Sequence, residues 1–485
     1  MLKFILVYMR FFAFFKYCQI LAILLFICGL VMPCHGQKEA NVWIFGDNLG
    51  IDFNFDRFRP FNGTKMNQFG GSASICDSST GDLLFYTDGR TIWDRNFKRM
   101  PNGVSLRGGY STDQAALIIP NPASRDQYYV FTTKSFGDTI PLPNVGDSEY
   151  SGLYYSLVDM RLNGGYGDVI KQEKNTLIIK NSTEKLTAIP HKNNKDYWLI
   201  SHEWGSDRFV VFLVNDLGIG SPKYYSFGMV YAHMESKGRL TPSPNGKLLA
   251  CAVSSPPNYE SANPLELYDF DAATGVISNR RVLGRFPNLY GVSFSPNNTK
   301  LYFSFFDNYQ PYGDRLFQMD LDAGNVEEIV KTKTQINFIY DTGIGTKDTI
   351  SSGMLNLAPD GRLYSNIIAS RTTKINGERI RENLIFYLNK PNLYAQLSEP
   401  SYRYLKANAK NPSGNSFPNF MQSYFNNLEP VDNSNFPEKC ITIEPILYPN
   451  PVNKLLFIKN DPVNCLIPAT IRIYNNLGQL LRVSL

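Results

Sequence analysis

Apolar and polar residues alternate with a period of two over much of the chain after residue 36. This alternation is typical of half-buried β-strands, whereas the 3.6-residue period of an amphipathic helix is hard to find. Clusters of Gly, Pro, Asn and Asp separate the short apolar runs, as expected for turns between strands. The pattern therefore predicts an all-β chain.

One strand–turn–strand unit recurs along the sequence. Its clearest copies are RLTPSPNGKLLACAV (239–253), GVSFSPNNTKLYFSF (291–305) and MLNLAPDGRLYSNII (354–368). Pro presets φ at the turn, and Asn, Asp or Gly accepts a positive φ, so these residues have the chemistry of a tight hairpin. Looser copies lie at 72–88, 115–133, 186–202 and 416–425.

The spacing of the copies predicts a β-propeller, because a four-stranded blade takes roughly 40–50 residues and longer intervals indicate inserted loops. Seven copies predict seven blades, with six as the alternative. Second hairpins at 265–277 and 315–329 are expected to supply outer strands. Residues 41–55 are expected to pair into the sheet that contains 416–425 and so close the ring. A pair of β-sandwiches would not explain one recurring turn.

Composition narrows the class of protein. Aromatic residues make up 14% of the 485 residues and charged residues 19%, which gives no signature of disorder. The net charge of +5 falls close to neutral without residues 1–36, so nothing indicates a nucleic-acid partner or an anionic membrane surface. No other segment has the length and hydropathy of a membrane span.

The first 36 residues have the pattern of a signal peptide. Basic residues (Lys3, Arg10 and Lys16) precede an apolar stretch at 17–32, and a plausible cleavage point follows Gly36. An uncleaved anchor helix is the alternative. We expect cleavage and export through the inner membrane.

Three segments are expected after the signal peptide. The propeller is expected at 41–426, a linker at 427–443 where Pro, Asn and Glu cluster, and a small module at 444–485. Cys440, just before this module, and Cys465, within it, could pair in an oxidising compartment. The cysteines after residue 36 have no CxxC spacing, so we expect neither a zinc site nor a cofactor.

The C-terminal module resembles the carboxy-terminal sorting domain of type IX secretion cargo. The resemblance rests on YPNPVNKLLFIKN (448–460) and IRIYNNLGQLLRV (471–483), in which the motif residues are Tyr448, Pro449, Asn450, Pro451 and Gly478. It implies that the type IX secretion machinery delivers the protein to the outer-membrane surface or the medium. The family's domain has further strands where this pattern stops, so we expect an incomplete β-sandwich-like domain, poor recognition and accumulation in the periplasm.

Residues 41–425 are similar to an uncharacterised propeller family that often precedes such sorting domains. The similar stretches are VWIFGDNLGIDFN (42–54), TGDLLFYTDGRTIWDRNFKRMPNG (80–103), GLYYSLVDM (152–160) and EKLTAIPHKNNKDYWLI (184–200). This resemblance implies the fold and export, and it brings no catalytic role.

Candidate chemistry is sparse. His191 and His202 bracket one hairpin, with Glu203 next to His202, and a metal or acid–base site would need these side chains to converge. Hydrogen bonding between strands is the alternative. Tyr309 and Tyr312 lie among polar residues in a loop, where aromatic side chains either contact a ligand or pack between blades.

The leading hypothesis is a surface or secreted binding or scaffold propeller for an unknown extracellular protein or glycan. The alternative is a propeller hydrolase or lyase that degrades an extracellular polymer. That activity would need a convergent acid–base pair or a metal in an open pocket.

Overall fold

The structure is a computed structural model with seven successive antiparallel sheets arranged as a β-propeller. It describes residues 37–429 except 56, 69, 135–151, 232–235, 255–262, 307–313, 337–351, 376–377 and 408–416, together with four short strands between residues 446 and 482. The predicted seven-bladed propeller is therefore confirmed, and the six-bladed alternative is wrong. Among the described residues, no helix is long and apolar enough to cross a membrane.

The first four blades take up the chain as far as Tyr231. Their strands are β1 (Val42–Phe45), β2 (Asp47–Asp52) and β3 (Arg59–Asn67); β4 (Ala73–Cys76), β5 (Leu83–Thr87) and β6 (Ile92–Asp94); β7 (Ala116–Asn121), β8 (Ser124–Lys134), β9 (Gly152–Asp159), β10 (Asp168–Val169) and β11 (Thr176–Ile179); and β12 (Ser182–Pro190), β13 (Tyr197–Glu203), β14 (Ser206–Asn215), β15 (Gly218–Ile219) and β16 (Lys223–Tyr231).

The last three blades have four strands each. These are β17 (Leu240–Pro242), β18 (Leu248–Ala252), β19 (Asn263–Asp271) and β20 (Val276–Phe286); β21 (Leu289–Phe294), β22 (Lys300–Phe306), β23 (Asp314–Asp320) and β24 (Thr334–Gln335); and β25 (Ser352–Leu357), β26 (Leu363–Ile375), β27 (Glu378–Leu388) and β28 (Pro400–Ala407). Short 3₁₀ turns lie at Asn163–Gly165, Lys171–Glu173, Leu321–Ala323, Ala395–Leu397 and Gln422–Phe425, and α1 spans Val326–Lys331.

Six of the seven predicted inner hairpins are confirmed. They are formed by β4–β5, β7–β8, β12–β13, β17–β18, β21–β22 and β25–β26. Gly246 and Gly361, in the turns of two of them, have φ of +69° and +74°. Local turn chemistry therefore determines these hairpins, since glycine reaches this conformation without a steric penalty.

Replacing Gly246 by Val tests that turn. A Cβ at this position would lie 2.8 Å from Ile189 Cγ2, in addition to the positive φ. We expect the free energy of unfolding to fall by about 2 kcal/mol, measured by thermal or denaturant melting. Gly205→Val is the matched control, because Gly205 has a φ of +72° but no heavy atom within 4 Å of its ideal Cβ. An unchanged melting curve for Gly246→Val would mean that this turn has been misread.

The seventh predicted hairpin, 416–425, is wrong, and so is its pairing with 41–55. Residues 417–421 are extended, and a 3₁₀ turn follows at Gln422–Phe425. The backbone of this segment makes a parallel bridge from Pro418 to Ser72. It meets the N-terminal strands through side chains instead, because the Phe417 ring lies 5.0 Å from Trp43 and 5.2 Å from Phe45.

Only the first strand of the predicted hairpin at 315–329 is confirmed. β23 is a strand, but α1 begins where the second strand was expected. A capping box explains the difference: the Asn325 side chain accepts a hydrogen bond from the backbone of Glu328, and the Glu328 side chain accepts one from the backbone of Asn325. These bonds satisfy the first free N–H groups of a helix and favour it over a strand.

The innermost strands of the second to seventh blades (β4, β7, β12, β17, β21 and β25) contact one another in sequence around the ring. We call the face at which these strands begin the upper face, and the face of the inner hairpin turns the lower face. The core lies between adjacent blades; Trp43, Tyr86 and Phe131 are among its fully buried side chains.

Residues 432–485 form a second compact unit. Its described strands pair as two hairpins, β29 (Ile446–Tyr448) with β30 (Phe457–Lys459) and β31 (Arg472–Tyr474) with β32 (Leu480–Arg482). The second pair lies within the stretch 471–483 on which the sorting-domain resemblance rests.

Candidate functional site

Charged residues lie at the upper-face ends of the innermost strands, and they are buried. Asp113 precedes β7, Lys185 is in β12 and Arg239 precedes β17; their exposed fractions are 3%, 0% and 2%. With Glu184 and Tyr290 they form what we call the upper-face network. A charge in such a position is stable only when other groups pair with it or hydrogen-bond to it.

The Asp113 carboxylate joins neighbouring blades. Its Oδ2 accepts a hydrogen bond from the backbone N–H of Gly238 at 3.0 Å, and its Oδ1 accepts one from the Tyr290 hydroxyl. The backbone N–H of Asp113 donates to Glu184 Oε2 at 2.8 Å. Burial raises the pKa of Asp113 above its ordinary value. Because these residues belong to the third, fourth, fifth and sixth blades, the contacts link four consecutive blades.

Two cations extend the network. Lys185 Nζ donates to the carbonyl oxygens of Lys237 at 2.8 Å and Gly238 at 3.2 Å. Arg239 Nη1 donates to the carbonyl oxygen of Leu355, in the seventh blade, at 3.0 Å. Burial lowers the pKa of Arg239 to about 10, which leaves it charged at neutral pH. The network therefore reaches from the third blade to the seventh.

Amide side chains fill the axis below this network. Gln114 Nε2 donates to the carbonyl oxygens of Leu186 at 2.8 Å and Leu240 at 3.2 Å, and Gln114 Oε1 accepts from the N–H of Leu240 at 2.9 Å. Asn419 Nδ2 donates to the same Leu186 oxygen at 3.0 Å, and its backbone N–H donates to Ser72 O at 2.7 Å. Asn419 thus contacts innermost strands on different sides of the ring.

The segment 417–427, which we call the axis segment, runs from the upper face to the lower face. Near its start, Asn356 Nδ2 donates to the carbonyl oxygen of Pro418 at 3.3 Å. At its end, the N–H of Asn427 donates to the carbonyl oxygen of Pro296, in a lower-face turn, at 2.9 Å. The protein's own chain therefore occupies the centre of the propeller.

The predicted pair His191 and His202 does not converge. His191 lies at the lower face, where its Nε2 is 3.1 Å from the carbonyl oxygen of Ala273. His202 lies near the upper end of β13, a strand of seven residues that spans about 20 Å. Glu203 forms an ion pair with Arg208. The structure therefore does not assemble an acid–base pair from these candidates.

His202 itself is fully buried between aromatic rings. Its ring centroid is 4.1 Å from Tyr231 and 4.8 Å from Phe209, and its Nδ1 lies 2.9 Å from the carbonyl oxygen of Glu203. Burial, followed by the charge of Lys185, lowers the pKa of His202 well below 6.5. The imidazole is therefore neutral in the folded protein at neutral pH.

This burial predicts a pH dependence of stability. Because the folded-state pKa is depressed, the unfolded chain takes up a proton below about pH 6.5 that the folded chain excludes. Stability is therefore highest above that value and falls as the pH drops. Between about pH 7.5 and about pH 5.5 we expect His202 to account for a loss of about 1.4 kcal/mol, measured by denaturant unfolding.

His202→Gln should remove this part of the pH slope. Phe209→Leu is the control, because it disturbs the same packing without removing a titrating group and should keep the slope. Equal slopes for the wild type and His202→Gln would contradict the assignment.

A second buried carboxylate is connected to His202 through Tyr231, which packs against the imidazole and donates to Glu266. Glu266 accepts hydrogen bonds from the hydroxyls of Tyr231 and Tyr268, the latter at 2.8 Å, and pairs with Arg280 Nη2 at 2.7 Å. Burial raises the pKa of the neighbouring Cys251 thiol to about 11, so it is a thiol and not a thiolate at neutral pH. These groups bind one another and hold the fourth and fifth blades together.

Other predicted residues lie outside the described part of the chain. These are the loop tyrosines Tyr309 and Tyr312, the motif residues Pro449, Asn450, Pro451 and Gly478, the side chain of Tyr448, the cysteines Cys440 and Cys465, and the signal peptide at 1–36. Within the described ranges, no group of three or more His, Cys, Asp or Glu side chains could hold a metal ion.

The upper-face network was not predicted, although the sequence contains a signal for it. STDQAALIIP (111–120), STEKLTAIP (182–190) and KGRLTPSP (237–244) each place charged residues directly before or at the start of an otherwise apolar innermost strand. Polar residues at the same point of successive repeats meet around the axis of a propeller. That positional repeat could have identified Asp113, Lys185 and Arg239 together.

No protein-family model matches the chain, and no curated protein matches it in sequence. Solved propellers are similar to it only distantly. A putative 6-phosphogluconolactonase from Bacteroides uniformis is 12% identical with a TM-score of 0.38, over 71% of this chain and 95% of that one. One from Bacteroides fragilis is 12% identical with a TM-score of 0.39, over 78% and 98%.

A periplasmic gluconolactonase from Pseudomonas aeruginosa is 10% identical with a TM-score of 0.34, over 76% of this chain and 99% of that one. Similarity at this level carries no argument about ligand or activity. The class of the protein therefore rests on its own blades: it is a seven-bladed β-propeller.

Proposed function

We propose that the protein is an exported binding or scaffold propeller, delivered by the type IX secretion machinery, whose partner is an extracellular protein or glycan. The export route rests on the motif residues Tyr448, Pro449, Asn450, Pro451 and Gly478. The binding role rests on the fold and on the contrast between its two faces.

That contrast is the observation that carries the binding role. The lower face has short inner turns, such as the one at 244–246, whereas the longest connections that begin and end at the same face join strand ends at the upper face. They include 135–151, between β8 and β9, and 336–351, between β24 and β25. Long connections on a rigid scaffold are the usual carriers of binding function in proteins.

The buried chemistry also favours binding over catalysis. The charged side chains of the upper-face network, Asp113, Lys185 and Arg239, make contacts between blades. The axis segment occupies the centre of the propeller. A partner would therefore contact the rim of the upper face and not enter a channel. Tyr309 and Tyr312 belong to the connection between β22 and β23, which joins strand ends of that rim, and they stay predicted ligand residues.

Binding is tested by probing glycan and peptide arrays with the purified protein. We expect a defined set of ligands whose signal drops at least about tenfold in the double variant Tyr309→Ala, Tyr312→Ala. Tyr224→Ala is the control, because Tyr224 is exposed on an outer strand away from that rim. No ligand, or equal loss in both variants, would contradict binding at the upper face.

Export is tested in a host that has the type IX machinery. The chain 1–485 is compared with a chain that ends at residue 443, each in the parent host and in a host without the machinery. The fraction of the protein that reaches the surface or the medium should need both residues 444–485 and the machinery, and the fraction of chain 1–485 that stays in the periplasm measures the poor recognition expected of the incomplete domain. Identical fractionation of all four would overturn the route without bearing on the binding role.

A further inference from the structure

A cavity of about 410 Å³ lies between the third and fourth blades, away from the axis. Its volume is within the roughly 300–1,000 Å³ range of small-ligand sites. We call it the inter-blade cavity. The third blade supplies Tyr129, Tyr155, Leu157, Glu173, Leu177 and Ile178, and the fourth supplies Phe212, Leu217, Gly218, Ile219 and Gly220.

Aromatic rings form part of its wall. The Tyr129 and Tyr155 ring centroids are 5.6 Å apart at an interplanar angle of 73°, so the two rings meet as a corner. Phe212 adds a third ring from the facing blade. Rings that meet at steep angles around one space present several π faces or edges to a ligand, and π faces attract cations.

One charged group lies in this wall. Of the lining residues, Glu173 alone has a carboxyl or basic side chain, and it is half-buried. Its Oε2 accepts a hydrogen bond from the Tyr155 hydroxyl at 2.6 Å. Burial and this bond raise the pKa of Tyr155 to about 12, so the phenol stays a neutral donor. Within the described chain Glu173 forms no ion pair.

The cavity therefore combines a carboxylate without a counter-charge among the described residues, a cluster of aromatic rings and several aliphatic side chains, and its lining surface is more polar than apolar. We propose that it binds an organic cation, an alkylammonium group with an apolar body. The cationic head would lie against the corner formed by the Tyr129 and Tyr155 rings, next to Glu173. Coulomb attraction to the carboxylate and cation–π attraction to the rings would act there together. The alkyl body would pack against aliphatic side chains.

The rim of the cavity supports an accessible site. Leu177 is 50% exposed and Leu217 is 93% exposed. Both leucines line the cavity and are exposed, so the cavity opens to solvent and a ligand can reach it. The site is independent of the upper face and of the export route.

The test is calorimetric titration of the purified protein with choline and with its uncharged carbon isostere, 3,3-dimethylbutan-1-ol, both of which dissolve at millimolar concentration. The isostere has the same body without the charge, so it separates a cation site from a merely apolar pocket. We expect the cation to bind at least about tenfold more tightly. Equal affinity, or no binding of the cation at millimolar concentration, would overturn the proposal.

Two variants locate the binding. Glu173→Gln should weaken the cation at least about tenfold while leaving the isostere unchanged. Tyr155→Phe keeps the ring and should cost less than Glu173→Gln. The control is Glu327→Gln, an exposed carboxylate on α1 that should leave the affinity unchanged. Wild-type affinity in Glu173→Gln, at an unchanged melting temperature, would place the cation elsewhere and refute the site.

Discussion

Replacing Asp113 by Ala is expected to lower the free energy of unfolding by about 3–5 kcal/mol, which is a large part of the stability of a typical domain. The substitution leaves the Tyr290 hydroxyl and the N–H of Gly238 without their acceptor. An enclosed donor without a partner costs about 1–3 kcal/mol. The substitution also removes the Asp113 carboxylate, which favours the charged form of the buried Arg239.

The matched control is Asp216→Ala. Asp216 pairs with Lys195 at 2.6 Å, but both side chains are half exposed, so water replaces the lost partner. We expect little or no change, because exposed ion pairs contribute little to stability. Denaturant unfolding of the two variants measures the contrast. A loss for Asp113→Ala as small as that of the control would mean that the upper-face network does not join the blades.

Asp113→Asn separates shape from charge. The amide keeps one oxygen acceptor, so it can retain one of the two bonds made by the carboxylate. We expect a loss between those of Asp113→Ala and Asp216→Ala. An Asn variant as unstable as the Ala variant would indicate that the negative charge, rather than the hydrogen bonds, holds the network.

The sequence predicted most of the fold because the repeated signal is local. Pro and Gly at turns such as 244–246 determine where each inner hairpin bends, and alternation determines which side chains face the core. The helix α1 could also have been predicted, since Asn325 and Glu328 have the spacing of a capping box. Alternating apolar residues in the preceding strand masked that signal.

The axis segment could not be predicted in the same way. The apolar residues of 416–425 suit a buried strand, and no local rule distinguishes a blade strand from a segment at the axis. Its position depends on the other blades, because its partners Ser72, Leu186 and Pro296 are far away in sequence. Non-local placement of this kind is decided by packing and not by propensity.

The candidate site was missed for a related reason. His191 and His202 are close in sequence, but an extended strand separates them, so proximity along the chain was misleading. Asp113, Lys185 and Arg239 are far apart in sequence, yet the ring brings them to one end of the axis. In a propeller, equivalent positions in successive repeats meet more readily than neighbours along one strand.

Deleting the axis segment is expected to have the larger effect on the whole protein. A chain that spans residues 37–416 lacks the large apolar side chains of 417–425, of which Phe417, Phe420, Met421, Tyr424 and Phe425 are each at most 5% exposed. Burial of one such side chain contributes about 1.5–3 kcal/mol, so their sum is comparable with the entire stability of a domain. We expect the shortened chain to lose cooperative thermal unfolding.

A chain that spans 37–431 provides the control, because the first compact unit ends at Val431. It should melt cooperatively, at the midpoint of the first transition of the longer chain, when both are followed by circular dichroism and calorimetry. The difference between the two truncations isolates residues 417–431, since both lack the C-terminal unit. If the chain ending at 416 melted at the same temperature as the chain ending at 431, the segment would be a passive filler of the axis. The ring of blades would then be closed by contacts between the first and seventh blades alone. The contacts made by Phe417 and Asn419 would not be needed to close the ring.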